Sequence, residues 1–157
     1  MLDALPKLQK KKKITSLYLG GAKLTTLDRR FAVLAPSVTH VSLRECPMTE
    51  LPEVLTQFKK LEILVLRDMD QLKAIPDLSP LNKLRIVDLC GAKKLKDFSG
   101  LATRPALADL DISNIRRLKT LPTPLTEIPT LKTLRIHTTP IDKKSVREQL
   151  GSGVEVL

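Results

Sequence analysis

Residues 61–66 read Leu-Glu-Ile-Leu-Val-Leu, residues 84–89 read Leu-Arg-Ile-Val-Asp-Leu and residues 107–112 read Leu-Ala-Asp-Leu-Asp-Ile. Each is an aliphatic residue, two free positions, an aliphatic, one free position and a third aliphatic. The same word stands at Ile14/Leu17/Leu19, Val38/Val41/Leu43 and Leu131/Leu134/Ile136, so the six starts lie 24, 23, 23, 23 and 24 residues apart. All eighteen positions are Leu, Ile or Val. A fixed period of this length marks a stack of like units, none of which can bury its apolar side alone.

A second half repeats with the first. Leu24, Met48, Leu72, Leu95, Leu118 or Ile141 follows each word, and in the first five coils Leu27, Leu51, Ile75, Phe98 or Leu121 comes three residues later. Pro52, Pro76 and Pro122 follow directly, and the return limb adds Leu34, Leu55 with Phe58, Leu78 with Leu81, Leu101, and Leu125 with Ile128. At these residues the chain resembles the leucine-rich repeat family, over nearly its whole length. The resemblance implies an α/β fold of about six repeats: a right-handed solenoid with a concave parallel β-sheet and an irregular, short-helical convex side. Strand geometry agrees, because side chains alternate between faces: the fourth and sixth positions of each coil point inward, the third, fifth and seventh outward. Proline lacks the N–H that a central strand or mid-helix needs, so the return limb should hold extended segments and short 3₁₀ turns.

One column departs from the family pattern. Many leucine-rich repeats keep Asn or Cys three residues past the word, where the side chain satisfies the backbone of the next coil. Here the column reads Ala22, Cys46, Met69, Ala92, Ile115 and Thr139, so an apolar or small-residue spine is expected instead. With its Leu-Pro return limbs, the chain is similar in style to the irregular repeats of intracellular plant immune receptors and of effectors injected by plant-pathogenic bacteria. That likeness implies target recruitment for an activity, such as ubiquitin transfer or pathogen sensing, housed elsewhere in a parent protein.

At 157 residues the chain has the length of one domain, and 42% hydrophobic residues with only 3% aromatics and no Trp describe a narrow aliphatic core rather than disorder. Three segments are expected: a partial repeat or N-terminal cap at 1–13, leucine-rich repeats at 14–141 and a C-terminal cap at 142–157. Leu2, Leu5, Pro6 and Leu8 match the second half of a coil whose word is missing, so the chain reads either as a piece of a longer protein or as opening on a half-coil cap. Val146 and Leu150, four apart, mark one face of a short terminal helix, with Asp142 or Ser145 to cap it, Gly151 to end it, and Val154, Val156 and Leu157 as a last strand. Cys46 is inward and Cys90 outward two coils away, which speaks against a disulfide. No run reaches the ~18 apolar residues of a membrane span. The expectation is a monomer of a reducing, cytoplasmic compartment, that of a host cell if the protein is an injected effector, with no cofactor.

The outward columns define the expected binding face. The third position carries Ser16, His40, Ile63, Ile86, Asp109 and Thr133; the fifth carries Tyr18, Ser42, Val65, Asp88, Asp111 and Arg135; the seventh carries Gly20, Arg44, Arg67, Cys90, Ser113 and His137. Ile63, Val65 and Ile86 form an apolar island, bordered by Arg44 and Arg67 on one side and by Asp88, Asp109 and Asp111 on the other. Exposed aliphatics on a sheet mark a contact site when clustered, although a patch this small also occurs on ordinary surfaces. Tyr18, Arg44, Arg67 and Arg135 are the residue types that anchor protein interfaces. The expected partner is therefore a protein.

A second surface gathers much of the +10 net charge. Lys93, Lys94 and Lys96 occupy the template positions that Arg116, Arg117 and Lys119 occupy one coil later, and Lys10 to Lys13 add a further run. Such a flank serves solubility, or steers acidic proteins, anionic lipid or nucleic acid. Nucleic acid is the poorest fit, since Tyr18 alone makes no stacking platform. A structural scaffold is the remaining alternative.

No enzyme is expected. Cys90 and His137 share a column but stand two coils apart, roughly 10 Å at strand spacing, too far for an ion pair. Asp88 and Asp111 are neighbours, yet an open sheet supplies neither an enclosing pocket nor a third metal ligand.

Overall fold

The computed structural model describes residues 13–21, 23–102 and 106–157. Leu2, Leu5, Pro6, Leu8, Lys10 to Lys12 and Ala22, which the sequence reading used, lie outside the described residues. Each aliphatic word forms one three-residue strand: β1 (Ser16–Tyr18), β2 (His40–Ser42), β3 (Ile63–Val65), β4 (Ile86–Asp88), β5 (Asp109–Asp111) and β6 (Thr133–Arg135). With β7 (Glu155–Val156) they make a seven-stranded sheet in sequence order, every neighbouring pair parallel. The register matches equal template positions: Leu17 faces Val41, then Leu64, Val87, Leu110 and Leu134. One strand per coil in this order is the sheet of a leucine-rich repeat solenoid.

The ladder runs past the strands at both ends. Before them, Glu62 N donates to Thr39 O (2.8 Å), Arg85 N to Glu62 O (2.9 Å) and Lys132 N to Ala108 O (2.8 Å); after them, Glu45 N donates to Arg67 O (2.9 Å) and Asp68 N to Cys90 O (2.8 Å). The backbone then turns through a left-handed residue once per coil, at Gly21, Glu45, Asp68, Gly91, Asn114 and Thr138, with φ between 58° and 76°. These six positions are spaced 24, 23, 23, 23 and 24 residues apart, like the strands themselves.

Inside, the fourth and sixth positions from the second coil onward are fully enclosed, from Val41 and Leu43 to Leu134 and Ile136, while Leu17 and Leu19 of the first coil are partly buried. Burying each such side chain contributes about 1.5–3 kcal/mol. The spine that replaces the asparagine ladder is apolar in the middle: Cys46, Met69, Ala92 and Ile115 are all buried. Two of its side chains also serve the backbone, Cys46 Sγ donating weakly to Leu19 O (3.3 Å) and Thr139 Oγ1 to Ile136 O (2.7 Å).

The convex side is built from short turns, as proline dictates. Arg29–Leu34, Glu53–Gln57 and Ser99–Leu101 are 3₁₀ segments and α1 (Thr123–Thr126) is a single α-turn. Pro52 and Pro122 stand just ahead of two of them in extended conformation, where the missing N–H costs nothing. Gly100 packs so closely on the coil before it that a Cβ would run into the carbonyl oxygens of Ile75 and Pro76. The last helix, α2 (Lys143–Leu150), is capped by Asp142, which accepts from Lys144 N (3.4 Å) and Ser145 N (2.9 Å), and it sends Val146 into the core. Gly151 ends it with φ of 72°, and β7 returns beside β6.

Candidate functional site on the open face of the sheet

The in-register strands bring the expected columns together on one face. Ser16, His40, Ile63, Ile86, Asp109 and Thr133 follow one another across the sheet, as do Tyr18, Ser42, Val65, Asp88, Asp111 and Arg135. Ile63 and Ile86 are direct neighbours, and Val65 lies two residues along the strand from Ile63. All three are half-buried rather than exposed. Ser42 and Ser113, expected to line the face, are buried, and the Ser113 hydroxyl accepts from His137 N (3.1 Å).

The one large apolar side chain standing in solvent among the described residues is Tyr18, 66% exposed. Its ring sits 5.1 Å from that of His40, tilted by 55°. An amphipathic ring held against a neighbour loses little freedom on contact with a partner, which makes it a good anchor.

The charges expected on opposite borders of the island are joined. Arg67 Nε donates to Asp88 Oδ2 (3.0 Å), with the terminal nitrogen 2.9 Å from the same oxygen and 3.9 Å from Asp111 Oδ2. The Asp88 and Asp111 side chains are only 18% and 15% exposed, against 39% for Arg67. The hydrogen bond to Asp88 strengthens the guanidinium's hold on its proton, burial opposing it. The remaining carboxylate oxygens serve the turn that follows: Asp88 Oδ1 accepts from Cys90 N (2.9 Å) and Asp111 Oδ1 from Ser113 N (2.8 Å). Sequence columns show which residues are neighbours, but not that these two aspartates brace their own strand ends.

Arg44 pairs with Glu45 (2.9 Å) and Asp68 (3.6 Å), all in solvent, so these links are worth at most about 1 kcal/mol each. Asp109 and Arg135 make no ion pair among the described residues, which leaves Asp109 as the acid of this face most open to a partner. Burial raises the Cys90 thiol above its ordinary pKa, Asp111 adding to the rise and Arg67 opposing it; burial alone raises Cys46. Both cysteines are free. Among the described residues no three His, Cys, Asp or Glu side chains converge to hold a metal, and no helix is long and apolar enough to cross a membrane.

The expected basic flank is also partly spoken for. All six of its side chains are exposed, but Lys93 Nζ pairs with Asp70 Oδ2 (2.8 Å) and Lys94 Nζ donates to Gln71 Oε1 (2.7 Å), whereas Lys96, Arg116, Arg117 and Lys119 make no ion pair among the described residues.

No family model matches the chain. A probable disease resistance protein of Arabidopsis thaliana is 29% identical over 120 residues, 73% of this chain and 10% of that protein, so the chain spans about a tenth of this curated relative's length. Among solved structures, an internalin of Listeria monocytogenes superposes with a TM-score of 0.61 at 18% identity, over 99% of this chain and 53% of its own. Internalin C2 of the same species gives 0.58 at 18% identity, over 92% of this chain and 80% of its own. The period, the parallel sheet of one strand per coil and these superpositions agree: by its fold the chain is a leucine-rich repeat solenoid.

Proposed function

We propose that the chain is a non-catalytic protein-recognition module that docks a protein partner on the open, concave face of its sheet. The carrying observation is the register that sets Ile63, Val65 and Ile86 side by side next to Asp109, on a sheet face that no helix or strand covers among the described residues. Tyr18, with Arg44 and Arg135 towards the two ends, supplies anchors. Asp88, Asp109 and Asp111 outnumber the one Arg67 among them, which favours a basic side chain on the partner's side. Arg67 acts mainly by shaping this acidic cluster. A rigid, preformed surface loses little entropy on binding, so modest apolar area suffices.

In this reading residues 14–141 are the recognition repeats and 142–157 a cap. The likeness to a plant disease resistance protein supports a place in immune recognition, where the module would recruit a target for an activity outside it; an injected effector is the other setting of this reading. In the same reading the protein is a monomer of a reducing, cytoplasmic compartment, a setting that two free cysteines fit.

The test is capture of a partner by immobilised protein, compared with Ile63→Glu/Ile86→Glu. The double variant should lose at least about tenfold in affinity while its far-UV dichroism and melting curve stay native. Undiminished capture by the folded variant would reject this face as the site.

A further inference from the structure

Three β-turns lie in register on the flank that follows the sheet: Met69–Leu72, Ala92–Leu95 and Ile115–Leu118. Each is closed by the N–H of its last residue donating to the carbonyl of its first, at 3.1, 3.1 and 2.9 Å. The 23-residue coils keep them stacked, so their central pairs, Asp70/Gln71, Lys93/Lys94 and Arg116/Arg117, form a block two residues wide and three coils deep. Together they line one groove of about 350 Å³.

Polarity runs along this groove. The lysines reach back one coil, Lys93 to Asp70 at 2.8 Å and Lys94 to Gln71 at 2.7 Å. Arg116 and Arg117 occupy the next rung with no carboxylate in ion-pair reach and no side-chain hydrogen bond among the described residues. Beneath the other end, Asp70 Oδ1 is buried without a donor. The groove thus has an unsatisfied cationic end and an acid-bearing end.

We propose that this groove is a second binding site, separate from the concave face, and that it takes a short acidic peptide segment of a partner protein. Adjacent guanidiniums bind carboxylates in bidentate fashion, so Arg116 and Arg117 receive Glu or Asp side chains, with Lys94 lining the same groove. A polynucleotide fits less well: its continuous phosphates would meet Asp70 two rungs from the arginines, and the groove has no aromatic ring for a base to stack on. An anionic bilayer needs cations splayed towards a plane, and Lys93 is held in its own ion pair.

Fluorescence anisotropy of a labelled Gly-Glu-Glu-Asp-Glu-Gly peptide at low salt tests the assignment. Arg116→Ala/Arg117→Ala should weaken binding by about tenfold or more with unchanged dichroism. Lys59→Ala/Lys60→Ala, an exposed pair elsewhere that removes the same charge, should leave it within about twofold. Asp70→Asn, by releasing Lys93, should tighten it. Ile63→Glu/Ile86→Glu should leave it unchanged, which separates failure here from failure of the concave site. The proposal is overturned by undetectable peptide binding, by equal losses in the two charge-removal variants, or by tighter binding of an oligodeoxynucleotide or of phosphatidylserine–phosphatidylcholine vesicles through the same arginines.

Discussion

Once per coil a single residue bends the chain away from the sheet in left-handed conformation, and the six residues are of five types: Gly21, Glu45, Asp68, Gly91, Asn114 and Thr138. That variety hides the column in the sequence, where Gly, Asn and Asp advertise positive φ but Glu45 and Thr138 do not. The turn is imposed by the ladder bonds around it, not by the residue. The side chains that bear the strain differ accordingly. Thr138 is β-branched at φ of 58°, so Thr138→Gly should raise stability by about 1 kcal/mol in urea unfolding despite the entropy glycine adds to the unfolded chain. Gly91 at φ of 76° has the Asp68 carboxylate against the place of its missing Cβ; Gly91→Ala should therefore destabilise, by roughly 1–3 kcal/mol. Equal stability of both variants and the parent would contradict this assignment of strain. The burial of Ser113 and the bracing of Asp88 and Asp111 escaped the columns for a related reason: they depend on where a side chain folds back on its own backbone.

At the scale of the coil, the strand positions could be read directly because burial on one face of a strand enforces an alternation of two, and a slip by one residue would turn every aliphatic outward. Val87 is 1% exposed at the middle of the sheet. Val87→Asp buries a carboxylate without a partner, so thermal melting should lose its cooperative transition or fall by an amount corresponding to more than about 4 kcal/mol. A near-native melting curve would contradict the register. The return limb was legible only as a class: prolines exclude long helices, but whether a coil uses a 3₁₀ turn or an α-turn depends on local packing. Lengths of 24 rather than 23 residues are likewise explained only in three dimensions. Both longer coils end on a hydroxyl residue that reaches the first residue of the coil just closed, Ser37 Oγ donating to Ile14 O (2.6 Å) and Thr130 Oγ1 to Leu107 O (2.8 Å).

Across the whole molecule, contacts pass from each coil to the next, so the inner positions carry the fold and the outer columns are free to carry specificity. The fold was therefore written in the aliphatic word, and the composition of the open face in the columns between. The state of that face was not: Arg67, an anchor by residue type, neutralises part of the acidic cluster, and the island at Ile63, Val65 and Ile86 is half-buried. Partner choice resides in such pairings, which sequence spacing does not encode. The binding face exists only if equal template positions stand one strand apart across the sheet. Double electron–electron resonance measures this directly, with nitroxides on Ser16→Cys/Ile86→Cys and on Ser16→Cys/Thr133→Cys in a Cys46→Ala/Cys90→Ser background. Three strand intervals separate the first pair and five the second, so the mean distance should grow by roughly 10 Å from one to the other; equal distances, or a shorter one for the second pair, would contradict the stacked, in-register sheet.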